Sequence, residues 1–554
     1  MNINIELKNV TYNKHNNLEE IEITENGEYT ASEGYDAIGK AVVNVEPNLE
    51  EIEITENGEY LPSEGKDGFS KVNVNVETYE PPLNLVLINP ISESNINLPI
   101  TFQWNINNLE SGETPVYYLF VDNILVYKGN NTSFTMQNMP ISGKNHTCYI
   151  VANSQIRSGF TNPISFTLPY EFLYGFDINE DISDPETSVT YTDDCAEFTP
   201  AGLNNNDEFQ YGDWKTFIDR ICRPVMLRID GTVDYELDHD NQLYKLDGTL
   251  SNDIQNVDYD GNAMVEFRKI YMKLWKENNI VKCRFSDVKL DSDYKAYAFT
   301  NENGIEQDYI YLSMFPTKFK ITDGLKKCIS YYSNSINAGS GASYWRDTCM
   351  NIYNYIRNNG NGYYSISIST YTLLQMLCTL ISKSRYSKKS FGYGDFNINY
   401  YAGIFIDKPC FYGKFNDISQ LYGNKMFYME NIYSIFTFLI DGIISDNNIL
   451  YYKTIPPYQL NKDETYETMI YSNDISSNNL TKIKCENNII LPYETNINSD
   501  YNNNYCASAY YSRNYKYMGN NPTSISRKSS GIFSFYSLRE LGESVNGRFM
   551  YVKP

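Results

Sequence analysis

Histidine is almost missing from this chain of 554 residues: only His15, His146 and His239 occur, each in a polar, turn-like setting. Nucleophilic catalysis that leans on a histidine base therefore has little to work with. Cysteine occurs ten times, from Cys148 to Cys506, but never as a Cys-x-x-Cys pair. That spacing gives no metal knuckle and no redox motif, and it predicts free thiols formed in a reducing compartment. Cations are short as well, 45 Lys and Arg against 69 Asp and Glu, for a net charge of −24. Nucleic-acid phosphates need clustered Lys and Arg, so the balance argues against nucleic acid as a partner and for soluble display. No stretch reaches the roughly 20 apolar residues that cross a bilayer, so no membrane insertion is expected. Residues 1–10 (MNINIELKNV) alternate polar and apolar without a basic start, unlike a secretory signal.

Tyrosine, by contrast, is abundant at 51 residues, in company with much Asn, Ile and Lys, a bias that an A- and T-rich genome produces by itself. The length accommodates about four domains of ~150 residues. The first stretch, residues 1–78, is organised by a repeat: residues 17–29 (NLEEIEITENGEY) recur unchanged as residues 48–60. Within each copy Ile-Glu-Ile-Thr alternates as a strand, Glu-Asn-Gly predicts a turn, and a closing Val-Asn-Val alternates again. One such unit is too small to bury its own face, so the copies should lean on each other or on neighbouring chains.

Glu80-Pro81-Pro82 is a stiff break. Over residues 79–170, short β runs follow at 100–104, 116–121, 124–127, 133–136, 148–152 and 164–168, punctuated by Asn123, Gly129-Asn130 and Ser142-Gly143. The spacing predicts an immunoglobulin- or fibronectin-III-like β-sandwich with Trp104 between its sheets. Cys148 has no second cysteine nearby, which excludes the disulfide-bearing type.

Residues 171–310 read as a mostly β intermediate domain punctuated by Gly231, Gly248 and Gly261. The acidic run at 234–260 lacks the EF-hand register, so exposed hairpin charges are expected rather than calcium, and no cofactor is expected anywhere. In residues 311–554 two helices are predicted. One carries Trp345, Cys349, Tyr353 and Ile356 behind a Ser343 cap and ends at Asn358-Asn359-Gly360; the other carries Leu373, Leu374, Leu377, Leu380 and Ile381 after Ser369 or Thr370. Residues 428–444 (YMENIYSIFTFLIDGII) hold no charge except Glu430 and Asp441 and belong at the centre of a core.

That segment resembles the core stretch of phage tail-fibre adhesins with a C-type-lectin-like fold, a fold shared with formylglycine-generating enzymes. Glu430, Asn431, Tyr433, Asp441, Gly442 and Ile443 match the family's Glu-Asn-Leu-Tyr-Gly-Asn-Ile-Trp-Glu-Trp-Val-Asp-Gly-Ile, whereas Ser434, Ile435, Thr437 and Leu439 depart from it. Further segments occur in the family's order, among them Tyr174-Gly175-Phe176-Asp177, Gly212-Asp213-Trp214, Gly231-Thr232-Val233-Asp234-Tyr235 and Gly261-Asn262-Ala263-Met264. The closing Gly547-Arg548-Phe549 is similar to the family's Gly-Gly-Arg-Leu. The Ile-Thr-Glu-Asn-Gly-x-Tyr repeats look like those of phage structural proteins. The resemblance implies an α+β lectin-like domain over 311–554 at the end of a multidomain, mainly β chain.

It also implies a virion protein, a tail fibre or receptor-binding protein that attaches to a glycan or protein on the bacterial surface. The N-terminal repeats would dock on other tail or capsid proteins, or act as spacers, and the assembly would be a homotrimer. Residues 501–521 gather Tyr505, Tyr510, Tyr511, Tyr515 and Tyr517 around Arg513 and Asn514, and Tyr rings stack and hydrogen-bond well in adaptable binding loops. In the family this late region meets the receptor; the insertion at 382–425 is the second choice. A structural head or collar fibre, or a virion enzyme that degrades polysaccharide, is the alternative. No enzyme is expected: a glycosidase needs only two carboxylates about 5 to 9.5 Å apart, but nothing singles out a pair. The copper-binding cysteine pair of the formylglycine chemistry would have to be Cys485 and Cys506.

Overall fold

The computed structural model describes residues 81–96, 98–137, 139–140, 144–154, 157–332, 347–392, 403–416, 423–433, 438–446, 449–470 and 478–496. It also describes 505, 508–510, 517–519, 532–533, 535–538, 544–545, 548–554 and four short strands before residue 75. These residues are mainly β. Two compact units are distinguished, one of Met1–Leu85, Ile106–Val116 and Val151–Phe160, the other of Val86–Asn105, Tyr117–Ile150 and Thr161–Pro554.

In the first unit each repeat contributes a two-stranded antiparallel pair, Gly27–Tyr29 with Ala41–Val43 and Gly58–Tyr60 with Val72–Val74, in the same register. The glycine expected in a turn therefore opens a strand, because the residues after it pair with the closing valine run. The Ile-Glu-Ile-Thr segments lie outside the described residues. Arg157 ties this unit together: Nε donates to Glu113 Oε1 at 2.9 Å, and Nη2 to Glu113 Oε2 at 2.5 Å and to the Asn108 carbonyl at 2.7 Å. Nη1 reaches the Pro81 carbonyl at 3.2 Å, so the proline break is anchored by a guanidinium.

The second unit begins with two small sheets. Ile100–Ile106 pairs antiparallel with Ser133–Met136, and Val116–Val121 with Ile124–Gly129 through a two-residue turn whose Asp122 and Asn123 both have positive φ, 51° and 64°. Alternation decides the faces: Phe102 and Trp104 are buried while Gln103 and Asn105 point out. Phe102 meets Phe166 edge-on at 6.2 Å and Trp104 meets Tyr117 at 5.5 Å, so the two sheets pack face to face around the expected tryptophan. Besides the six strands anticipated, Leu85–Asn89, Ser94–Asn95 and Ser158–Phe160 are strands.

From residue 171 onward a large hydrophobic core runs from Phe172 to Val552, beside a second cluster that includes Val225, Met264, Ile352 and Phe549. A four-stranded sheet is ordered Val189–Asp193, Leu173–Asn179, Ile280–Ser286, Tyr271–Glu277. A six-stranded sheet runs Val233–Glu236, Cys222–Arg228, Gly261–Arg268, Tyr309–Ser313, Phe549–Tyr551, Tyr363–Ser365. The boundary expected at residue 310 thus falls inside one strand. The stretches 171–310 and 311–554 share a sheet and a core.

Among the described residues four α-helices complete this body: α1 (Lys215–Ile221), α2 (Cys349–Arg357), α3 (Ile368–Ser382) and α4 (Ser387–Phe391). Helix α2 starts later than its periodicity predicted, capped by the Thr348 hydroxyl, which accepts from Asn351 N at 3.2 Å; Ser343 and Trp345 lie outside the described residues. Helix α3 begins two or three residues earlier than expected, with Ser367 as its cap, and all of its 15 residues are buried. A helix enclosed on every side must satisfy its polar side chains internally. Ser369 Oγ donates to the Thr454 carbonyl at 2.6 Å, Gln375 Nε2 to Ile532 O at 2.9 Å and Ser382 Oγ to Cys378 O at 2.7 Å.

Candidate functional site

Five described residues of the segment 428–444 are structural knots, and each is held for a readable reason. Glu430 is fully buried, where a carboxylate is costly unless paired, and it accepts from Gly403 N at 2.8 Å and Phe405 N at 2.9 Å. Asn431 has a φ of 52°, and its side-chain oxygen accepts from Asn424 N at 3.0 Å, closing the loop 424–431 on itself. Tyr433 donates its hydroxyl to Gly392 O at 2.8 Å. Asp441 pairs with Arg357 of α2 at 3.0 Å and accepts from Ser365 N at 2.9 Å. Burial pushes the Asp441 carboxyl above its usual range, and Arg357 pulls against that shift. Gly442 has a φ of 80°, and a Cβ there would lie 2.5 Å from the Lys453 carbonyl, so the position is closed to other residues.

Two neighbours that periodicity could not reveal complete the framework. Arg548, buried beside the last strand, donates to Ser313 O at 2.7 Å and to the Glu430 carbonyl. Lys425 is enclosed beneath Glu430 and donates to the carbonyls of Phe405 and Lys408, each at 2.7 Å, and to the side-chain oxygen of Gln242. Burial holds its amine down to about 8, but three carbonyl acceptors are what an ammonium needs, so it serves as a clasp. Lys425 opens the short strand Lys425–Met426 and Arg548 just precedes the last strand, in stretches that look unremarkable as sequence; only the Gly-Arg of the closing strand hinted at one of them.

The stretch 501–521 is not a free loop where it is described. Ser508–Tyr510 and Tyr517–Gly519 are interior strands of an eight-stranded sheet ordered Glu467–Ile470, Ile449–Tyr452, Leu439–Asp446, Tyr517–Gly519, Phe535–Leu538, Ser508–Tyr510, Asn478–Glu486, Ile489–Asn496. Tyr517 therefore pairs on both sides, with Ile444 and Leu538, and Tyr510 pairs with Tyr536. Tyr511, Arg513, Asn514 and Tyr515 lie outside the described residues. Tyr505 is a core residue: its ring is fully buried against Phe533 at 5.0 Å and its hydroxyl donates to Glu180 Oε1 at 2.6 Å. The sequence groups it with contact residues because Tyr-rich polar sequence looks the same whether a ring faces solvent or plugs a core.

The insertion at 382–425 is likewise packed where it is described. Phe411 stacks on Phe209 at 4.6 Å and on Phe391 at 5.6 Å, and Arg385 is fully buried with Nε donating to Ser188 Oγ at 2.9 Å. The nine described cysteines are free thiols, and burial pushes Cys148 up to about 12 and Cys195 to about 11. Cys506, partner in the hypothetical copper pair, lies outside the described residues, and Cys485 also has its thiol raised by burial. Among the described residues no group of three or more His, Cys, Asp or Glu converges as a metal site, and no helix is long and apolar enough to cross a membrane. A depression lined by Met272, Lys295, Tyr297, Phe299, Ser369 and Asn488 encloses about 250 Å³ including open solvent. No protein-family model matches the chain, and no curated protein matches it either.

Proposed function

We propose that the protein is a bacteriophage receptor-binding protein whose C-terminal body, a lectin-like α+β domain, attaches the virion to the host surface. The single observation that carries this reading is the set of residues through which the chain resembles phage adhesins. Glu430, Asn431, Tyr433, Asp441 and Gly442, together with Arg548 of the closing strand, form buried links that fasten loops to one core. A framework of this kind frees the connecting segments to vary at the surface, which is how a rigid scaffold carries recognition. The paired sheets of residues 79–170 act in this reading as an immunoglobulin-like spacer. The N-terminal repeats dock on the particle, and association into a trimer buries what each small repeat cannot.

The experiment is attachment of purified protein to intact host cells at micromolar concentration, beside labelling of virions with an antibody against residues 311–554. Saturable binding and label at the tail tip support the reading. Absence of binding above a control protein sinks it, label on the head or collar favours a structural fibre, and release of reducing ends from capsule favours a polysaccharide-degrading enzyme.

A further inference from the structure

A lysine closed off from water is unusual, because an ammonium in the interior is costly unless fully matched, and Lys425 is 1% exposed. It opens the strand Lys425–Met426, whose register sets it opposite Glu430, itself 0% exposed, so the two side chains share one side of this strand pair. A third enclosed group comes from far away in the chain. Gln242, 0% exposed and 183 residues earlier, accepts from Lys425 Nζ through its carboxamide oxygen. The electrophilic carboxamide carbon lies one bond, about 1.2 Å, behind that oxygen.

One backbone segment holds both partners. Lys425 Nζ donates to the carbonyls of Phe405 and Lys408, each at 2.7 Å, and Gln242 N donates to Ile406 O at 2.9 Å. The carboxamide is kept from turning, since its Nε2 donates to the carbonyls of Asp238 at 3.0 Å and His239 at 3.1 Å. As an ammonium, Lys425 fills three acceptors with three protons. As a neutral amine it keeps two protons for the backbone carbonyls, and its lone pair is left facing the Gln242 carboxamide. Burial favours the neutral form and holds the amine down to about 8; against it, Glu430, Cys410 and Asp407 pull the value up, while Lys408 lowers it further. A nucleophile and an electrophile fixed in contact, in a site closed to water, react with the effective concentration of an intramolecular pair and without competing hydrolysis.

We propose that Lys425 and Gln242 become joined by an isopeptide bond that the folded chain makes by itself. The Glu430 carboxylate takes one proton from the ammonium, and the freed lone pair forms the Nζ–Cδ bond while the C=O electron pair moves onto Oε1. That pair then re-forms the carbonyl and the Cδ–Nε2 bond breaks. Nε2 departs as ammonium, carrying the proton returned by Glu430 and a second proton lost from Nζ, so atoms and charge balance and nothing is oxidised or reduced. The bond ties the stretch around Gln242 to the strand pair at Lys425 across 183 residues, a cross-link that restricts the unfolded chain as a disulfide over a long loop does. It stands whether or not the protein is a phage adhesin.

The test is the mass of the denatured full-length protein after the folded chain has stood overnight at about pH 9, where an amine held at about 8 is mostly unprotonated. Most molecules are expected to be lighter than the sequence by one ammonia. Trypsin, which cuts after a free lysine, should pass over Lys425 and release one branched peptide joining the stretches around Gln242 and Lys425. Gln242→Met and Lys425→Met should each keep the full mass of their sequence. A parent of full sequence mass that is cut after Lys425 overturns the proposal. So does an ammonia loss that persists in Gln242→Met, since ring closure at an Asn-Gly pair such as Asn359-Gly360 removes the same mass. The parent alone decides the first result, so a variant that folds poorly cannot rescue the idea. Host-cell attachment is measured separately, which keeps failure here distinct from failure of the adhesin reading.

Discussion

Single side chains carry two opposite electrostatic designs. Asp441 and Arg357 form an ion pair inside the core, and the Asp441 carboxyl sits above its usual range because burial outweighs the guanidinium beside it. Removing one partner strands the other, so Asp441→Ala should cost about 3 to 5 kcal/mol in urea unfolding. Recovery of most of that loss in a double variant with Arg357→Met would identify the stranded charge as the cause. At Glu113 the shift runs the other way: hydrogen bonds from Arg157 hold its carboxyl down to about 2. A folded pKa below the unfolded value near 4.5 means that this pair stabilises above pH 4.5 and loses its contribution as pH falls toward 2. Acid titration of the melting temperature should therefore fall more steeply in that window for the parent than for Glu113→Gln, and parallel curves would argue that the pair is energetically idle.

Elements were legible in proportion to how locally they are determined. The strands Val116–Val121 and Ser133–Met136 stand where alternation and turn residues predicted them, because each has one wet and one dry face. Helix α3 was visible from its leucines, but its full enclosure was not, since Ser369, Thr372 and Gln375 look like a solvent face until their partners in distant loops are known. The same blindness affected residues 501–521: whether a ring is wet depends on register with strands far away in sequence. Helix α3 yields a direct expectation. Leu377→Ala opens a cavity in the core and should lower stability by about 2 to 5 kcal/mol. Replacing Tyr510, Tyr511 and Tyr515 together by Ala tests the remaining contact stretch: unchanged melting with lost host attachment keeps it as the receptor face. A large fall in melting temperature assigns those rings to the interior of the eight-stranded sheet instead.

For the molecule as a whole, the repeats and the large body pose different problems. Three-residue pairs such as Gly27–Tyr29 with Ala41–Val43 cannot persist in water alone, so light scattering of the full-length protein should give a trimer mass, and a monomer at high concentration would contradict the assembly proposed. The large body has the reverse difficulty, a sheet closed across great distance. Phe549–Tyr551 lies between Tyr309–Ser313 and Tyr363–Ser365, with Leu312 opposite Met550 and Tyr364 opposite the same residue. A ribosome adding about 5 to 20 residues per second needs some 10 to 50 s to travel from the first of these strands to the one that fills the gap. Throughout that interval the growing chain displays an open β edge beside an unfinished core, an invitation to the same strand of a neighbouring copy. Synthesis on crowded polysomes would then favour exchange of this strand between chains, so the moment of closure, as much as the finished contacts, decides whether copies emerge separate or already entwined.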